Sequence, residues 1–67
     1  MMIDIYFIEF YINRLHNQKL EEYFGVVSSV TSGWRHGKFP EKRLHEFCFK
    51  ENSNNIFELF ERIYKRE

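Results

Sequence analysis

The chain has 67 residues, ten of them basic and ten acidic, so its formal net charge is zero. That balance argues against a protein whose main task is to coat nucleic acid by bulk charge. Hydrophobic residues make up 43% and charged residues 30%, which is too apolar for a disordered chain and ordinary for one small domain spanning 1–67.

Residues 2 to 12 are rich in Ile, Phe and Tyr, which favour strands. At period two this stretch has two apolar faces. One carries Ile3, Ile5, Phe7, Glu9 and Tyr11; the other carries Asp4, Tyr6, Ile8, Phe10 and Ile12. A helix is the rival, because Ile5, Ile8, Ile12 and Leu15 also fit helical spacing, and it would run unbroken to Phe24. Since β-branched and aromatic side chains crowd a helix, a strand is preferred. A short helix is expected near 14 to 24, with Leu20, Tyr23 and Phe24 on one face. Gly25 then suits the left-handed position after its last turn.

Residues 26 to 50 read as a β-hairpin. Val26, Val30 and Trp34 face one way in its first arm, and Gly33 marks a bulge or a close approach. Gly37 and Pro40 punctuate a basic connection. The second arm, "RLHEFCFKE", places His45, Phe47 and Phe49 on one face. A final helix follows, with Ile56, Leu59, Phe60 and Ile63 forming its apolar stripe. Asn54 or Asn55 can cap it, and Glu58 lies three residues after Asn55, as in a capping box.

The resulting order, β-α-β-β-α, defines an α+β fold: a ferredoxin-like split βαβ unit lacking its last strand. Its three-stranded antiparallel sheet would carry two helices on one face and leave the other face and one edge open. RNA-recognition domains share this layout and place aromatics where Tyr6, Phe47 and Phe49 would lie. The glycines expected in their third strand are absent here, where Leu44, His45 and Glu46 stand. Only the layout is shared.

So small a domain buries only about 60% of the surface its unfolded chain exposes, and its own core leaves it marginal. Cys48 is the only cysteine, so an internal disulfide is excluded. Association is then the expected supplement, with a homodimer as its simplest form. No apolar run approaches the roughly 18 residues of a membrane span; Asp4, Glu9, Asn13 and Arg14 interrupt the longest. The start has no basic segment or small-residue cleavage site, so no signal peptide is expected and a cytoplasmic location is. Abundant Phe, Tyr, Ile, Asn and Lys, with no Ala, point to an AT-rich genome, bacterial or phage.

The surplus apolar face of the first strand is the expected partner surface. It comprises Ile3, Ile5, Phe7 and Tyr11, with Glu9 as its polar contact and Trp34 and Arg35 contributing from the hairpin. The hairpin tip interleaves cations with rings: Trp34, Arg35, Lys38, Phe39, Lys42 and Arg43, opposed only by Glu41. Trp34, Arg35, Lys38, Lys42 and Arg43 would serve phosphate contact and base stacking if the partner were a nucleic acid. No metal or other cofactor is expected. His45 and Cys48, three apart on a strand, would diverge, and no second cysteine joins them. Nor is an enzyme expected: Glu21 and Glu22 diverge on a helix, and Ser28, Ser29 and Ser32 lack a triad context.

These features favour a small non-enzymatic protein-binding module, such as a regulator, an immunity or antitoxin protein, or a phage-type inhibitor. It would act by steric binding through the apolar face and the basic hairpin. A nucleic-acid-binding module is the first alternative and a structural subunit of a larger oligomer the second.

Overall fold

A computed structural model of the chain describes residues 5–37 and 39–64. Among these residues there is no strand and no sheet. The elements are α1 (Ile5–His16), α2 (Leu20–Phe24), α3 (Ser28–His36), α4 (Glu41–Lys50) and α5 (Ile56–Tyr64). The α+β, ferredoxin-like expectation is therefore overturned, and the shared layout with RNA-recognition domains falls with it. What stood as the first strand is α1, and what stood as a β-hairpin over 26–50 is a pair of helices, α3 and α4.

Burial follows the helical period. In α1, Ile5, Ile8, Tyr11 and Ile12 are buried while Tyr6 and Phe10 are exposed. A strand would put Ile8 and Phe10 on the same side; here Ile8 faces the core and Phe10 faces out. The same separation recurs in α4, where Phe47 is fully buried and Phe49 is 85% exposed. Tertiary burial thus overrides the strand propensity of Ile, Phe and Tyr, because propensities amount to only tenths of a kcal/mol per residue.

The rival helical spacing at Ile5, Ile8, Ile12 and Leu15 is the one realised, but the helix stops at His16. Asn17 takes a left-handed conformation at φ 54° and donates its N–H to the Asn13 carbonyl at 3.0 Å. Asparagine tolerates that region better than most side chains. Gly25 ends α2 in the same way, as expected, with φ 67° and its N–H on the Glu21 carbonyl at 2.8 Å. Asn52 repeats the device after α4 at φ 56°. Gly33 lies within α3 and a Cβ there would meet nothing within 4 Å, so neither a bulge nor a close approach explains it.

α5 matches its expected stripe, with Leu59 and Ile63 buried and Ile56 and Phe60 half-buried. Its cap is a variation on the expected box. Asn55 Oδ1 accepts from the Glu58 N–H at 3.2 Å, while the Glu58 carboxylate accepts from the Asn54 N–H at 3.0 Å. These bonds, that to Asn54 first, hold the Glu58 carboxyl below its ordinary pKa.

Helices of five to twelve residues are too short to persist alone, so packing holds them. α1, α2 and α3 pack on one another. One apolar cluster draws on every helix: Ile8, Tyr11 and Ile12 of α1, Leu20, Tyr23 and Phe24 of α2, Trp34 of α3, Phe47 of α4, and Leu59 and Ile63 of α5. Its centre is aromatic. Phe24 meets Tyr23, Trp34 and Phe39 edge-on at ring separations of 4.9, 5.4 and 5.9 Å, the geometry that aromatic quadrupoles prefer. Among the described residues, no helix is long and apolar enough to cross a membrane.

Candidate functional site

The most concentrated polar cluster surrounds Glu51, the residue that ends α4. Its side chain is only 8% exposed. One carboxylate oxygen accepts the Tyr11 hydroxyl at 3.1 Å; the other accepts the Tyr23 hydroxyl at 2.6 Å and lies 2.8 Å from His16 Nε2. Arg62 closes the cluster from α5, donating to the Tyr11 hydroxyl at 3.1 Å and to the Glu51 carbonyl at 2.8 Å. α1 and α2 thus meet at the carboxylate that follows α4, and α5 joins them through the Glu51 carbonyl and the Tyr11 hydroxyl.

A carboxylate at a helix C-terminus opposes the helix dipole. Here the two hydroxyl donors and His16 offset that cost. Burial, the largest cause, and the bond to Glu51 push the Tyr23 hydroxyl well above its ordinary pKa. Burial also raises Tyr11, against the opposing bond from Arg62. Both hydroxyls therefore stay protonated and donate. No buried side-chain nitrogen or oxygen among the described residues lacks a partner. Satisfied in this way, the cluster is a structural knot that ties four helices together.

The expected partner-contact residues fall in several places. Ile3 lies outside the described residues, as does Lys38. Ile5 and Tyr11 are buried in the core and Trp34 is buried against Phe24 and Phe39. Phe7 is half-buried one turn before Tyr11, packed against the edge of the core. Glu9 and Arg35 do meet, but they meet each other: Arg35 donates to Glu9 at 2.7 Å, joining α1 to α3. With no sheet, the period-two face does not exist as one surface, because alternate residues of a helix point about 200° apart.

The basic segment is likewise redistributed. Arg43 pairs with Glu46 at 2.9 Å and lies over the Trp34 ring at 5.7 Å. Trp34 has rings on one side and a guanidinium on another, so stacking on a base would require it to leave the core. Lys42 is exposed. His45 and Cys48, expected to diverge, line the same groove, since positions three apart share a helix face. Among the described residues no three His, Cys, Asp or Glu side chains gather as a metal set. Glu21 accepts from the Thr31 hydroxyl, and that bond, above all, lowers its pKa; Glu22 accepts the Lys19 N–H at 2.9 Å.

Two apolar surfaces emerge that strand geometry concealed. On the α1–α5 side, Phe7 packs on Phe60 at a ring separation of 4.2 Å, and Tyr64 stacks with Phe7 and Phe60 at 6.4 and 6.0 Å. Phe57, Phe60 and Tyr64 form a second stripe on α5 at i, i+3 and i+7. Phe57 is 59% and Tyr64 65% exposed. Phe57 and Tyr64 are legible in the sequence as apolar residues surplus to the core face of α5, while Phe60 belongs to both stripes. The other surface is a shallow groove of about 440 Å³ between α4 and the start of α5, lined by Leu44, His45, Cys48, Phe49, Ser53, Asn54, Asn55 and Ile56. Burial there pushes the Cys48 thiol pKa up, which keeps it protonated and poorly nucleophilic.

No protein-family model, curated protein or solved structure matches the chain.

Proposed function

We propose that this chain is a small non-enzymatic protein-binding module, working in the cytoplasm by steric occlusion of a protein partner. The observation that carries the reading is the aromatic face of α1 and α5. Phe7, Phe60 and Tyr64 cluster as three mutually adjacent rings, Phe57 lies one turn before Phe60 on α5, and two of these four rings are more than half exposed. Contiguous exposed aromatics are costly in a soluble chain and are the residues that dominate protein interfaces. Among the described residues, the polar cluster around Glu51 is taken up by internal bonds.

The face is tested with Phe57→Asp and Tyr64→Asp, whose parent rings project outward, so the helical circular-dichroism spectrum is expected to persist. Cells that encode the chain supply the partner. A protein retained by the tagged wild type and lost from both variants is expected. Retention of the same set by wild type and variants would sink the proposal.

A further inference from the structure

α1, α2 and α3 pack on one another, and residues 25–27 alone separate α2 from α3. Gly25 turns the chain there in the left-handed conformation, φ 67°. Two helices joined by so short a glycine-containing turn, and braced by a third, are the helix-turn-helix arrangement, whose second helix enters the major groove of DNA. We infer that α3 is such a reading helix and that the chain binds duplex DNA through Ser29, Ser32 and His36. The inference goes beyond the protein-binding reading and does not depend on it. Phe7 meets α5 whereas Glu9 meets α3, so the two surfaces lie on different sides of α1.

The inner side of α3 is committed to the fold. Trp34 packs edge-on against Phe24 of α2 at 5.4 Å, the Thr31 hydroxyl donates to Glu21 of α2, and Arg35 donates to Glu9 of α1 at 2.7 Å. These contacts leave Ser28, Ser29, Ser32, Gly33 and His36 exposed. At about 100° per residue, the five fall within one arc of roughly 140°. The helix is thus fixed from behind and presents one continuous polar face.

Charge and shape select the occupant. α3 contains no acidic residue and carries Arg35 and His36 in its last turn. Over residues 25–45 the sequence has four Lys or Arg against Glu41 alone, in a chain whose ten basic and ten acidic residues balance. Glu9 and Glu21, which bond to α3, do so on its inner side. A polyanion therefore meets no carboxylate of α3 on the outer arc, and Lys42, exposed at the start of α4, supplies a cation for a phosphate. A protein partner would need apolar anchors at the centre of the contact, and the arc holds none. Serine hydroxyls and an imidazole instead match the donors and acceptors on base edges. The major groove of B-DNA, about 12 Å wide, admits a helix, whereas that of A-form RNA is too narrow. Gly33 weakens a helix interior and nothing inside the chain crowds it; a close approach from outside the chain accounts for it.

The test is fluorescence anisotropy with a labelled DNA duplex of randomised sequence, about 20 base pairs or two turns long, titrated with the full chain at about 50 mM salt. Saturable binding in the micromolar range is expected. It should weaken about tenfold by about 200 mM salt, the dependence of roughly two phosphate contacts. An RNA duplex of the same length is expected to bind about tenfold more weakly. Ser32→Glu, which sets a carboxylate on the arc, and Gly33→Leu, which fills the approach while favouring the helix, should each lose about tenfold in affinity with circular dichroism unchanged. Phe57→Asp, on the other surface, is expected to bind DNA like the wild type. No binding at about 50 mM salt, equal affinity for the RNA duplex, or wild-type affinity in both Ser32→Glu and Gly33→Leu overturns the inference. Each of these results leaves the α1–α5 face to stand or fall on its own partner-capture test.

Discussion

Glu51 and Glu9 are both carboxylates that tie distant parts of the chain together, at different depths. Glu51, 8% exposed, gathers Tyr11, Tyr23 and His16, with Arg62 behind them. Glu9, 38% exposed, holds Arg35 at 2.7 Å. The bond lengths are similar, yet the consequences differ. Removing Glu51 leaves the hydroxyls of two buried tyrosines without their acceptor, whereas water and salt can replace either member of the Glu9–Arg35 pair. Depth, rather than distance, decides which charge the fold depends on.

The strongest way to break this contrast is Glu51→Ala. It is expected to cost about 3 kcal/mol, because two buried donors lose their acceptor. That is a large share of the stability of a chain this small. Glu51→Gln keeps an amide oxygen as acceptor and should cost less than Glu51→Ala. Urea denaturation followed by circular dichroism measures both, and a loss below about 1 kcal/mol for Glu51→Ala would show that the knot is incidental.

Alkaline pH probes the same knot from its donors. The folded-state pKa values of Tyr11 and Tyr23 are raised above their ordinary value. Stability from their protonation is therefore fully present below about pH 10, the unfolded value. It is lost as pH rises from there through the folded values, because the unfolded chain releases these protons more readily. The expected outcome is a denaturation midpoint that declines only above about pH 10, with Tyr23→Phe flattening the decline. Tyrosinate absorbance should show two hydroxyls ionising only as the helical signal disappears. Ionisation of all four tyrosines with the helices intact would contradict this.

The smallest effect is expected at the surface pair. Arg35→Ala and Glu9→Gln should each cost at most about 1 kcal/mol. Most of that should vanish in about 1 M salt, where the Debye length is about 3 Å. A larger cost that salt does not reduce would place Glu9–Arg35 beside the Glu51 knot and erase the distinction.

Sequence alone determined the local punctuation and the last helix. Gly25 marks the end of α2 and the Asn55–Glu58 pair marks the start of α5, because left-handed φ and capping are properties of a few adjacent residues. The stripe Ile56, Leu59, Phe60 and Ile63 was likewise legible, since little else fits its spacing. The rest of the fold was ambiguous locally. Ile5 to Ile12 satisfies period two and period 3.6 alike when nearly every side chain is apolar, and propensity then favoured strands. Asn17 and Asn52 carried a signal for helix ends, but only to a reader who already had helices before them. Tertiary structure decided between the periods by burying Ile8 and Phe47 and leaving Phe10 and Phe49 outside. It also decided that Trp34 is core rather than contact, and that Glu9 and Arg35 satisfy each other. Glu51 drew no notice in the sequence; it became central because four helices converge on it, and convergence is a property of packing in three dimensions that no local pattern encodes.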